Sequence, residues 1–153
     1  MDTISGIPAH ALLVHGMVVL APLTALLEIL CAFWPAARRR LVWLVLAFAV
    51  MTTVLTPLTT SAGEWLLAQG GPPRPILQEH VDRGEWMIYF SVAMLIVAVA
   101  LVALHWAESR SDKPHKAAAA LLAVVTLVVG VSSIVTVVRI GDAGAQAVWG
   151  GRG

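Results

Sequence analysis

The chain has 153 residues, of which 59% are hydrophobic and only 12% charged, with a formal net charge of +1. Soluble domains carry about 25% charged residues, and a soluble fold has no polar coat to spare for this much apolar surface. The near-neutral balance gives nucleic acid no basic face to bind, and a single cysteine, Cys31, excludes an internal disulfide or a cysteine-based zinc site.

Four apolar runs follow one another, at about residues 11–33, 41–60, 86–106 and 117–138. Each approaches the ~20 residues that cross a bilayer as a helix. Lipid offers backbone groups no partners, so a spanning segment must bond to itself and the helix is the form expected. The reading is a single all-α, integral-membrane four-helix bundle over residues 1–153. The N-terminus does not read as a secretory signal: only Asp2 precedes the first run, and the positive block Arg38-Arg39-Arg40 comes behind it.

The first run opens with Gly6-Ile7-Pro8-Ala9-His10 and then Val14-His15. Two imidazoles at the mouth of a membrane span are expensive to bury and chemically useful. They are five positions apart, about 140° around a helix, so both face one side only if the helix starts near His10 or bends. Glu28, deeper in the run, needs a partner at that depth, and His105 or Arg38 are the candidates.

The connections on either side of the second run differ. Trp34–Arg40 and Glu108–Lys116 are basic and short, whereas residues 61–85 are longer and carry more acid. The positive-inside rule puts the two basic loops in the cytoplasm and both termini on the outer side of the cell inner (plasma) membrane, crossed in multiple passes. The tryptophans Trp34, Trp43, Trp65, Trp86, Trp106 and Trp149 lie near predicted span ends, as an aromatic belt would have them.

The second run carries Thr52, Thr56, Thr59 and Thr60 on one helical face, and the fourth carries Thr126, Gly130, Ser133 and Val137. Small residues at such spacing let helices approach closely. The partner expected for the fourth-run stripe is the threonine seam or another subunit. Within the long connection, Gly70-Gly71-Pro72-Pro73 breaks the chain. Residues 76–85, with His80, are expected to be helical and to run into the third span. After Arg139 the glycines predict a sharp turn away from the fourth helix, with Arg139 and Asp142 placed to pair locally. No internal repeat is evident.

The opening Gly-Ile-Pro-Ala-His with Val-His at 14–15, Thr-Ser-Ala-Gly-Glu-Trp at 60–65, Glu-His with a following Gly-Glu at 79–85 and Gly-Asp-Ala-Gly-Ala-Gln-Ala-Val-Trp at 141–149 occur in order around four spans. In this the chain resembles the bacterial four-helix membrane proteins catalogued as domain of unknown function 2231. The resemblance covers nearly the whole chain. It implies no established activity; relatives fused to Rieske-type iron–sulfur domains imply a redox neighbourhood. Relatives often have His where Asp142 stands here, which removes one potential ligand.

Under the expected topology His10, His15, Glu64, His80, Glu85 and Asp142 gather at the outer end. Inward side chains on facing helices build cofactor and metal sites in bundles. The candidate ligands are His80 with His10 or His15, for haem b or a transition metal, and Glu64, Glu85 and Asp142 are candidate acceptors that orient them. Two function classes lead: a redox or redox-accessory membrane protein with such a site, and a non-catalytic structural or interaction protein whose histidines only cap the bundle. A third, a transporter or channel, would need an oligomer and has no broken pair of half-helices to support it. Partners are the lipid bilayer and either further copies of the chain or a redox protein. No nucleophile–base pair or phosphate loop marks an enzyme of any class.

Overall fold

The computed structural model describes residues 3–4, 7–111 and 115–150. A two-residue ribbon pairs β1 (Thr3–Ile4) with β2 (Ile7–Pro8) in antiparallel fashion, and the remainder is helical. The helices are α1 (Ala9–Phe33), α2 (Pro35–Ala68), α3 (Pro75–Glu85), α4 (Met87–Arg110) and α5 (Lys116–Trp149). Four are long and apolar enough to cross a membrane, with α3 and α4 acting as one.

The apolar runs become helices with little adjustment, but the helices outlast the runs. Trp34 alone separates α1 from α2, with Pro35 at the first helical position, where its missing N–H costs nothing. The arginine block therefore lies in the first two turns of α2 and not in a loop. At the other end α2 continues to Ala68. The turn expected after Arg139 does not occur, because α5 runs on through Gly141 and Gly144 to Trp149. Asp142 consequently points along α5, where its Oδ2 accepts from the Gln146 amide at 2.8 Å, and it does not pair with Arg139.

α1 packs between α2 and α5, and α4 packs between the same two on the far side. All four helices run between an end formed by the turn at Trp34, the last turn of α4 and the start of α5, and an end where the described chain begins and finishes. We call these the hairpin end and the terminal end. α3 lies at the terminal end, resting mainly on α5.

The packing is that of a membrane bundle. Large apolar side chains look outward on every helix: Val19 is 66% exposed, Ile96 64% and Leu121 69%. The interior is lined with small residues, including Ala21, Ala25, Ala49, Ala98, Ser91 and Thr126. A water-driven core would reverse this order; in lipid, close helix approach is what stabilises association. The Thr126–Gly130–Ser133–Val137 stripe is buried as expected, but against a different helix. A side chain at Gly130 would meet Ile29 Cδ1 at 2.9 Å and the Ala25 carbonyl at 3.5 Å, so the stripe seats α1. The threonine seam of α2 turns instead to α1 through Thr24 Oγ1 and Thr52 Oγ1, 3.3 Å apart, while Thr53, off that face, donates from Oγ1 to the Ser91 carbonyl of α4 at 3.1 Å.

At the hairpin end Arg38 is 1% exposed. Its Nη2 donates to Glu108 Oε1 at 2.6 Å, its Nε to Glu108 Oε2 at 3.2 Å and its Nη1 to the Cys31 carbonyl at 2.8 Å. This forked arrangement closes α1, α2 and α4 together. It also takes Arg38 away from Glu28, the partner expected for it.

Candidate functional site

The extensions of α2 and α5 past the apolar spans provide the walls of the site. His10 stands in the first turn of α1, and its Nδ1 lies 2.9 Å from the Thr59 carbonyl on α2. His80 stands midway along α3, and its Nδ1 lies 2.9 Å from the Ile140 carbonyl on α5. A carbonyl only accepts, so Nδ1 is the donor in both and carries the proton. Nε2 of each neutral ring is then a bare lone pair, and neither Nε2 has a protein partner among the described residues.

Each imidazole sets its Nδ1–Cε1 edge against a glycine one helical turn beyond the carbonyl it bonds. A Cβ at Gly63 would stand 2.9 Å from His10 Cε1, and a Cβ at Gly144 would stand 2.9 Å from His80 Cε1. The same device thus occurs twice: a histidine on the first helix of a pair, a carbonyl on the second, and a glycine four residues later to make room. The sequence shows no obvious repeat, but the geometry repeats. Its only trace in sequence is the pair Ala62-Gly63 and Ala143-Gly144, whose alanines are both buried.

The two rings face one another across the bundle with centres 6.2 Å apart and planes inclined at 81°. They border a cavity of about 370 Å³, within the ~300–1,000 Å³ range of small-molecule sites. Its walls are mostly apolar, with Val14, Met17, Leu67 and Met87 among them. Gly84 and Gly141 also line it, and both have open space where a side chain would project. Arg74 lies at its edge, donating from Nη2 to the Ala147 carbonyl.

The other candidate residues are not brought to this pair. His15 is exposed and its Nδ1 bonds to the Ala11 carbonyl of its own helix, one turn back. Of the two alternatives at the start of α1, the fold therefore selects His10. Glu64, Glu85 and Asp142 are exposed, and none hydrogen-bonds to His10 or His80. The acceptor role expected of them falls to the Thr59 and Ile140 carbonyls. Among the described residues no three His, Cys, Asp or Glu side chains come together as a metal site.

Residues 6–152 match the family model described as a predicted membrane protein, DUF2231. The chain belongs to that family. No curated protein and no solved structure matches this DUF2231 protein. The family description supports a membrane protein and leaves the activity open, so a functional reading of this DUF2231 chain stands on the paired histidines and the cavity between them.

Proposed function

We propose that this protein is a membrane redox protein that holds haem b between His10 and His80 at the outward-facing end of the bundle, in a bacterial inner membrane. The observation that carries the reading is the spacing of the two rings. A metal–imidazole bond is ~2.0–2.1 Å and a ring centre lies about 1 Å behind its nitrogen, so two rings on opposite sides of one ion have centres about 6 Å apart. The 6.2 Å separation fits that arrangement.

The donor set favours haem over a bare transition metal. Zinc takes three or four protein ligands, and two imidazoles fall short of that. A porphyrin would bring nitrogens of its own, so that His10 and His80 would suffice as the protein's ligands to hold it. Haem contributes reversible one-electron transfer at iron; the protein's part is to fix its ligands. The Nδ1–H bonds to Thr59 and Ile140 lock tautomer and ring angle and make each Nε2 a better donor, the usual task of a ligand's outer partner. Gly84 and Gly141 leave room for a flat macrocycle beside the backbone. The apolar walls exclude water, and Arg74 offers the carboxylates of such a ligand a guanidinium with donors to spare.

Orientation follows from Arg39, Arg40 and Lys116, all exposed at the hairpin end, which the positive-inside rule assigns to the cytoplasm. Electrons would then pass to a protein on the outer side.

A second reading is favoured by the same Nδ1 bonds, which staple α1 to α2 and α3 to α5 whether or not a cofactor is present. In that case the histidines are caps and the protein's role is structural. The deciding experiment is the absorption spectrum of the purified full chain, oxidised and dithionite-reduced, after expression with added haem and after reconstitution. The haem reading expects one haem per chain, a six-coordinate spectrum that sharpens on reduction, and loss of that spectrum in His10→Ala and in His80→Ala, with His15→Ala unaffected. A wild-type protein that stays colourless after reconstitution refutes it and leaves the caps.

A further inference from the structure

Glu28 is the anomaly of the bundle interior. It is fully buried, and neither carboxyl oxygen has a hydrogen-bond partner in the described structure. On α1 the buried positions from Met17 to Ala32 span an arc of about 120°, and Glu28 falls at the middle of it. Its side chain therefore leaves the helix toward the bundle axis, with no direction along which it could reach lipid or water.

The contacts of neighbouring turns fix what surrounds it. Thr24 meets Thr52 of α2, and Ala25 and Ile29 meet Gly130 of α5. Thr126 stands on the same buried face of α5 as Gly130, one turn nearer the hairpin end. The Thr126 hydroxyl is also fully buried and also without a partner. The apolar core cluster that takes in Cys31 and Ala32, the next buried positions of α1, brings Val45 and Ala49 from α2 and Val97, Ala98 and Leu101 from α4. No cation among the described residues closes the gap. Arg38, the charged side chain of α2 on this side, is engaged by Glu108 of α4 and by the Cys31 and Ala32 carbonyls. His105 of α4 forms no bond to Glu28, Cys31 is the titratable neighbour on α1 itself, and α5 brings no charged group until His115 and Lys116 at its start.

An unpaired charge in such a place is far too expensive to persist, and an unsatisfied polar pair in a native bundle calls for a missing partner. We propose that Glu28 is a proton-binding site of the membrane interior, with Thr126 as its hydrogen-bonding partner in the occupied state. A proton bound to one Glu28 oxygen turns that oxygen into a donor. The hydroxyl of Thr126 and the second carboxyl oxygen can then complete each other. A metal cation fits less well: hard cations take about six oxygen ligands, and among the buried side-chain oxygens of the described residues only the two of Glu28 and the one of Thr126 stand without a partner. The proposal rests on the bundle alone and does not require the haem reading.

The test is infrared spectroscopy of the purified full chain in lipid. A carboxylic-acid carbonyl band is expected in the wild type. It should shift in D2O within the time of buffer exchange, titrate with bulk pH, vanish in Glu28→Gln and move to the aspartic-acid position in Glu28→Asp. Glu28→Gln keeps size and neutrality, so the bundle should fold, and circular dichroism checks that it does. Absence of the band in the wild type overturns the proposal, as does a band that never exchanges in D2O. A band removed by sodium at constant pH also overturns it, in favour of a metal-cation site.

Discussion

Replacing Gly144 with alanine adds one methyl group at a point where the structure leaves no space for it. In an unobstructed helix the change should stabilise by up to ~1 kcal/mol, because alanine loses less backbone freedom than glycine. Gly16 supplies that baseline, since nothing stands within 4 Å of its would-be Cβ. At Gly144 the new Cβ would lie 2.9 Å from His80 Cε1 and 3.1 Å from its Nδ1. Carbon–carbon contact is comfortable at ~3.5–4.0 Å, so the imidazole must retreat by roughly 0.6–1 Å. Overpacking of this kind costs ~1–3 kcal/mol. Retreat also breaks the Nδ1–H bond to the Ile140 carbonyl, at a further cost of about 1 kcal/mol. The net expectation is a loss of ~1–3 kcal/mol, opposite in sign to Gly16→Ala. Unfolding in mixed micelles with an added denaturing detergent, followed by helical circular dichroism, measures both. Gly63→Ala should match Gly144→Ala in sign and size, since its Cβ would meet His10 at the same 2.9 Å. If Gly144→Ala proves as stabilising as Gly16→Ala, His80 is not seated on α5 and the paired-histidine geometry fails with it.

Further outcomes follow from the same contacts. Arg38→Ala leaves Glu108 and two carbonyls at the hairpin end without their donor and should cost ~3–5 kcal/mol, while Arg39→Ala, at an exposed position, should change stability by less than ~0.5 kcal/mol in the same unfolding assay. Gly130→Ala should destabilise by ~1–3 kcal/mol by pushing on Ile29, and Gly130→Leu should prevent a stable bundle altogether. Neither should act by changing oligomeric state, which chromatography coupled to light scattering would show. If the protein binds haem, Arg74→Ala should weaken haem retention several-fold against transfer to a stronger acceptor protein. The same variant should be indifferent to esterification of the haem carboxylates, and an equal ester effect in wild type and variant would remove Arg74 from that role.

Much of this molecule could be read from the residues in order. The four spans, their helical form and the cluster of His10 and His80 at one end follow from composition, because lipid leaves the backbone only local partners and any long apolar run must satisfy itself. That constraint acts within each segment, so no knowledge of neighbours is needed. What faces what is another matter. These helices are apolar on every side, and the periodicity that separates inside from outside in a soluble helix is nearly absent. The sequence therefore offered α2 as partner for the Thr126–Gly130 stripe, where packing chose α1. It read the arginine block as loop charge, where Arg38 is a buried clasp on Glu108. It offered Glu64, Glu85 and Asp142 as orienting groups for the histidines, where the tertiary structure uses two backbone carbonyls that no side-chain pattern reveals. The placing of His10, and not His15, beside His80, the glycines that seat the imidazoles and the missing partner of Glu28 depend on contacts between helices far apart in the chain. Such contacts depend on shape complementarity between helices, which residue type along one segment does not encode by itself.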